Sequence, residues 1–192
     1  MRRSRVRIMQ GAPIDMIVID NVLPKSYADE IENTMFSPSF PWYYADDITY
    51  GRNAGEMEKT YGFFNLLYSD GIKTSNFASF FEPIYHIALD KANITIENSR
   101  VLQARAFLQL PLLQPRKYNN KHVDSSIPHT VVLYYVNDSE GSTHLFSGLE
   151  VIKKIEPKKN RVVIFDGSIY HSSGSPNISK RCVINFNILS NV

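Results

Sequence analysis

A chain of 192 residues with 43% hydrophobic and 21% charged residues can bury one good core, and a single domain is expected. No apolar run approaches the length of a membrane span. The one cysteine, Cys182, excludes an internal disulfide framework and fits a reducing, cytoplasmic setting. The net charge is only +2, and the single basic cluster is Arg2, Arg3, Arg5 and Arg7; the rest of the chain is slightly negative, so no electrostatic footprint for nucleic acid is present.

Taken in chain order, residues 1–12 read as a basic, solvated tail and 13–192 as one domain. The run 16–19 is short and β-like. Leu23-Pro24 then opens an expected helix to about Met35, with Tyr27, Ile31 and Met35 on one side. The aromatic stretch 40–44 serves equally as a pocket lip or as core. A second helix is expected over 71–93, kinked or split by Pro83. The region 13–99 is therefore read as helical support.

From residue 100 the pattern changes to period two. Strands are expected over 101–110, 129–136, 143–146, 149–155, 161–165, 169–171 and 181–189, separated by turn material at 137–141, 157–160 and 172–179. Many short strands joined by turns suggest a sandwich or jelly roll over about 100–189, with the two helices covering one outer face.

Within those strands sits a constellation that carries chemistry. His122-Val123-Asp124 places an imidazole and a carboxylate two residues apart, on one side of an extended chain. His171 lies near the start of a later strand, and Arg181 opens the last one. Two histidines and one carboxylate form a facial triad with open positions, which suits non-haem Fe(II) and O₂. A dianionic keto acid that chelates such an iron needs a fixed fork of donors at its far carboxylate. Arginine supplies that fork and keeps its proton. In the final strand Arg181, Val183, Asn185 and Asn187 share a face, which makes Asn185 a cavity candidate. Cys182, Ile184, Phe186 and Ile188 form the core face. His86 and Asp90, four apart on the second helix, read as a surface pair. His129 and His144 are placed so that either could line the cavity.

The ordered set His122-Val123-Asp124, Val132-Leu133-Tyr134-Tyr135-Val136-Asn137, Glu140-Gly141-Ser142-Thr143-His144-Leu145-Phe146, Ile155-Glu156-Pro157-Lys158-Lys159, Arg161-Val162-Val163-Ile164-Phe165, His171 and Arg181 resembles the prolyl 4-hydroxylase branch of the Fe(II)- and 2-oxoglutarate-dependent dioxygenases. The resemblance implies a mostly β fold with flanking helices and a double-stranded β-helix (jelly roll, cupin-like) core. It also implies Fe(II), 2-oxoglutarate and O₂ as metal, co-substrate and oxidant. His122, Asp124 and His171 match the iron ligands and Arg181 the residue pairing with the distal carboxylate. Tyr134 matches a strand tyrosine that binds the same molecule. Two departures stand out: Glu140-Gly141-Ser142-Thr143 replaces a Gly-Gly-x-Thr pattern, and Tyr118 precedes His122 by four residues rather than three. A second co-substrate tyrosine has no counterpart, and Gln109 or Gln103 is expected in its place.

The implied reaction is hydroxylation of a substrate C–H bond with release of succinate and CO₂. A peptide or protein is the substrate class the family suggests. The alternatives are the same chemistry on a small molecule or nucleobase, or a non-catalytic metal-binding jelly-roll module. Residues 40–55 and 117–121 flank the expected site and are read as lids.

Overall fold

The computed structural model describes residues 16–48, 59–95 and 100–189. The basic cluster Arg2–Arg7 and the lid positions Tyr50, Gly51 and Gly55 lie outside the described residues. In chain order the elements are β1 (Ile17–Asp20), α1 (Lys25–Met35), β2 (Tyr43–Ala45), β3 (Gly62–Ser69), β4 (Ile72–Lys73), α2 (Ala78–Phe81), α3 (Pro83–Lys91), β5 (Arg100–Gln109), β6 (Thr130–Tyr135), β7 (Thr143–Ser147), β8 (Glu150–Ile155), β9 (Arg161–Asp166), β10 (Tyr170–Ser173) and β11 (Arg181–Leu189).

The strands form two antiparallel sheets. An eight-stranded sheet runs β1-β9-β6-β11-β5-β3-β2, with β4 attached to β3, and a three-stranded sheet runs β10-β7-β8. This is the jelly-roll sandwich expected from the strand pattern, in which chain neighbours such as β9 and β10 are placed in opposite sheets.

Strand parity divides the core in two. On β6, Val132 and Tyr134 join Ile164 of β9 and Ile184 and Phe186 of β11 against Ile31 and Met35 of α1, Phe81 of α2 and Ile84 of α3. The alternate residues Val131, Leu133, Tyr135, Val163, Phe165 and Val183 meet Leu145 and Ile155 of the smaller sheet. Helices therefore cover one face of the large sheet and the small sheet covers the other. Central strands buried on both faces need apolar residues throughout, which is why β6 reads Thr-Val-Val-Leu-Tyr-Tyr with every residue buried.

The N-terminal region differs from its expected form. Helix α1 lies where predicted and buries Ala28, Ile31 and Met35. Gly71, however, does not open a helix. Asp70 (φ 50°) and Gly71 (φ 80°) close a two-residue hairpin between β3 and β4, and these left-handed angles explain the Asp-Gly pair. Pro83 does split the later helix, since it occupies the first turn of α3, where a missing N–H costs nothing. Strand β3 had no counterpart in the sequence reading. Its residues Gly-Phe-Phe-Asn-Leu-Leu-Tyr-Ser do not alternate cleanly, and a register shift between Leu66 and Tyr68 breaks the period. No helix among the described residues is long and apolar enough to cross a membrane.

Candidate metal and co-substrate site

His122 follows β5 on a segment with one point of sheet-like pairing. Its N–H donates to the His171 carbonyl and the His171 N–H donates to the His122 carbonyl, both at 2.9 Å. Directly opposed residues of an antiparallel pair project to the same side. The two imidazoles accordingly lie with centroids 4.8 Å apart. Asp124, two residues on, reaches the same point: its Oδ1 is 3.7 Å from His122 Nε2 and its Oδ2 is 3.6 Å from His171 Nε2. One ligating atom from each of the three lies within 4.8 Å of the others.

Both rings are oriented by the backbone behind them. His122 Nδ1 is 3.1 Å from the Asn120 carbonyl and His171 Nδ1 is 3.0 Å from the Ile169 carbonyl. A carbonyl can only accept, so each Nδ1 carries the proton and each Nε2 is left to face Asp124. Phe165 packs edge-on against His171 at 5.2 Å. Burial on its own would raise the Asp124 carboxyl, but His171, His122 and the Asn185 amide outweigh it and hold the group well below the usual carboxylate range. Burial, reinforced by His171, lowers His122. Burial also opposes the charge on His171, yet Asp124 beside it prevails and raises that pKa.

Arg181 lies at the far end of the same cavity, 5% exposed, and forms no ion pair with a carboxylate among the described residues. Its Nε donates to the Gly141 carbonyl (2.7 Å), one terminal nitrogen to Gln109 Oε1 (3.1 Å) and the other to Thr143 Oγ1 (3.0 Å). A guanidinium has five N–H donors. These three bonds leave one N–H on each terminal nitrogen, the spacing that a carboxylate accepts as a fork. Tyr135 steadies this end by donating its hydroxyl to Thr143 Oγ1 at 2.7 Å, with its ring 5.9 Å from the guanidinium carbon. Gly141 leaves the room that the arginine needs: a Cβ there would lie 2.8 Å from Arg181 Cδ and 2.8 Å from the Gly174 carbonyl oxygen.

The cavity wall joins His122, Asp124, His171 and Arg181 with Asn185, the cavity candidate of the last strand, and with Gln109, one of the two glutamines weighed for the missing tyrosine. Gln109 sits directly opposite Arg181 in the β5–β11 register and holds it. Asn185 donates to Asp124 Oδ2 at 2.8 Å.

Tyr134 is the correction. It is fully buried on the helix side of the large sheet and does not line the cavity. The alternation along β6 was read properly but the wrong face was assigned. Tyr134 pairs with Ile184, a core-face residue, whereas Tyr135 pairs with Val183 on the Arg181 face. That pairing, combined with the parity already read on the last strand, is the signal that points to Tyr135. Thr143, the last residue of Glu140-Gly141-Ser142-Thr143, is a further partner of Arg181 that its place in the sequence did not announce.

Gln103 does not reach the cavity wall either, because it pairs with Asn187 towards the other end of β5. His129 and His144 are buried but stand outside the wall, and His144 packs under Tyr118. Of the expected lids, Phe40 and Trp42 belong to the core beside Phe77, while Ile48 lines the cavity. Tyr118 packs on His144 and Phe146.

No family model matches this chain, and no curated protein matches it by sequence. Solved structures do share the fold. A 2OG-Fe(II) oxygenase-family oxidoreductase from Burkholderia pseudomallei superposes with a TM-score of 0.68 at 8% identity, over 92% of this chain and 85% of that one. A prolyl hydroxylase from Trichoplax adhaerens, in complex with a hypoxia inducible factor oxygen degradation domain peptide fragment, gives 0.61 at 16% identity, over 91% and 83%. A viral collagen prolyl hydroxylase from Paramecium Bursaria Chlorella virus-1, in complex with 2OG, gives 0.59 at 15% identity, over 90% and 94%. The fold of this chain is therefore the one found in 2OG-Fe(II) oxygenases, including prolyl hydroxylases.

Proposed function

We propose that this chain is an Fe(II)- and 2-oxoglutarate-dependent dioxygenase that hydroxylates a substrate C–H bond and releases succinate and CO₂. The observation that carries the reading is the pairing, on one cavity wall, of the His122, Asp124 and His171 cluster with a buried Arg181 that forms no ion pair among the described residues. The donor set fits the group: two neutral imidazole nitrogens and one carboxylate suit Fe(II) and leave coordination positions open. A buried cation without a carboxylate partner is costly unless an anion completes it. The distal carboxylate of 2-oxoglutarate, received by the two remaining N–H donors, would do so.

When bound, Fe(II) and 2-oxoglutarate supply the oxidative decarboxylation of the keto acid by O₂ that leads to a hydroxylated carbon. The chain's own part is positioning. His122, Asp124 and His171 hold the metal, and Arg181, set by Gly141, Gln109 and Thr143, fixes the co-substrate. Phe107, Val131, Leu133, Phe165 and Val183 keep the wall between them apolar and exclude water. A peptide or protein is the proposed prime substrate, on the strength of the prolyl hydroxylases that share the fold. We read residues 13–192 as one catalytic domain behind a basic tail. The single buried Cys182 supports a cytoplasmic setting.

The test is anaerobic addition of Fe(II) and 2-oxoglutarate, following the visible charge-transfer absorption of the complex and then, on admitting air, uncoupled succinate release. His122→Ala is expected to abolish both. Arg181→Ala is expected to weaken 2-oxoglutarate binding at least about tenfold, since even one of the two charge-assisted hydrogen bonds it removes is worth about that. Wild-type behaviour in both variants overturns the assignment.

A further inference from the structure

The three proposed ligands are not held equally. His122 and His171 are locked by their mutual backbone bridge and by a carbonyl behind each ring. Asp124 has no such support. It lies outside every strand, and its backbone makes no hydrogen bond among the described residues. Among the described residues, the one hydrogen bond to its side chain from a neutral donor comes from Asn185 Nδ2, at 2.8 Å to Oδ2. Asn185 stands on β11, a strand paired on both sides inside the eight-stranded sheet, opposite Leu133 of β6 and Arg105 of β5. The least supported ligand is thus tied to one of the most rigid positions in the fold.

Chemistry settles which way the amide faces. An ionised carboxylate only accepts, so the NH₂ must point at Asp124. The Asn185 Oδ1 then points away, buried and without a partner among the described residues. This one bond therefore orients the amide.

Resting on the function proposed above, we propose that Asn185 is a positioning residue for the metal centre. Its amide clamps Oδ2 of Asp124, keeps the carboxylate turned towards His122 and His171, and thereby sets the metal affinity. Groups that orient metal ligands in this way typically contribute 10- to 100-fold in affinity. The same bond leaves Oδ1 of Asp124 as the oxygen free for the metal.

Titration of the metal-free full chain with Co(II), read by its visible d–d spectrum, tests this without requiring turnover. Asn185→Ala is expected to weaken Co(II) binding about tenfold or more and to alter the band shape. Asn185→Gln, which keeps an amide donor, is expected to recover most of the affinity. Asn187→Ala, two residues along the same strand face, controls for damage to β11 and is expected to bind as wild type. The proposal is overturned if Asn185→Ala matches wild type in affinity and spectrum, if Asn185→Gln stays as weak as Asn185→Ala, or if Asn187→Ala loses as much. His122→Ala separates the two readings. If it too leaves Co(II) binding intact, the metal site itself is misassigned; if it abolishes binding while Asn185→Ala does not, only the positioning role fails.

Discussion

Before any metal arrives, Asp124 and His171 compensate one another. The carboxyl is held low, and the imidazole is raised by the carboxylate beside it, while His122 is lowered and already neutral near its ordinary range. Metal coordination needs both Nε2 atoms deprotonated. Below the raised pKa of His171, binding therefore displaces a proton from that ring. The expected sign follows: metal affinity rises with pH, by up to about tenfold per unit, until pH passes the raised pKa of His171, and then levels. Co(II) titrations across that range check it, and an affinity independent of pH contradicts it. A second prediction separates adjacent tyrosines. Tyr134 buries a hydroxyl with no partner among the described residues, so Tyr134→Phe should leave 2-oxoglutarate binding unchanged and stability equal or higher. Tyr135→Phe removes the bond to Thr143 that supports Arg181, at a cost of about 1 kcal/mol, and should weaken 2-oxoglutarate binding about fivefold. Calorimetric titration and urea unfolding of the two variants distinguish these outcomes.

Elements were legible in proportion to the simplicity of their surroundings. Helix α1 has one covered side, and its apolar residues at Tyr27, Ile31 and Met35 announced it. The strands from residue 100 onward were found because turn residues punctuate them. Strand β3 escaped because a register shift interrupts its alternation, and a helix was expected from Gly71 although Asp70-Gly71 is a strong hairpin signal. That turn carries its own prediction. At φ 80° an alanine is strained, and its Cβ would lie 2.5 Å from Arg100 Nε. Gly71→Ala should cost about 1 kcal/mol in urea unfolding while leaving 2-oxoglutarate affinity untouched, because the hairpin is remote from the cavity wall. An unchanged unfolding midpoint would count against the hairpin geometry.

At the scale of the molecule, the proposed site is assembled across both sheets: Arg181 and Asn185 come from the large sheet, and Thr143 and His171 from the small one. Ligands that bridge the layers should stabilise the whole fold. Mn(II) with 2-oxoglutarate at about 100 times its Kd contributes about 2.7 kcal/mol, or on the order of 5–10 °C in Tm for a chain of this size. In Arg181→Ala the part of the shift that 2-oxoglutarate adds over Mn(II) alone should fall by about half or more, as measured by thermal unfolding, and an undiminished shift there would place the co-substrate elsewhere. The sequence by itself determined which residue types were available and where they stood in order: two histidines, a carboxylate two positions from the first, an arginine opening the last strand, and strands dense enough to make a sandwich. Spacing within a strand is local information, so the shared faces of β6 and β11 could be read directly. Tertiary structure alone decided which face of β6 meets the cavity, that Gln109 stands opposite Arg181, that Thr143 crosses from the other sheet, and that Asn185 reaches Asp124. Those facts depend on register between strands far apart in the chain, and a register displaced by one residue would have exchanged every inward side chain for its neighbour.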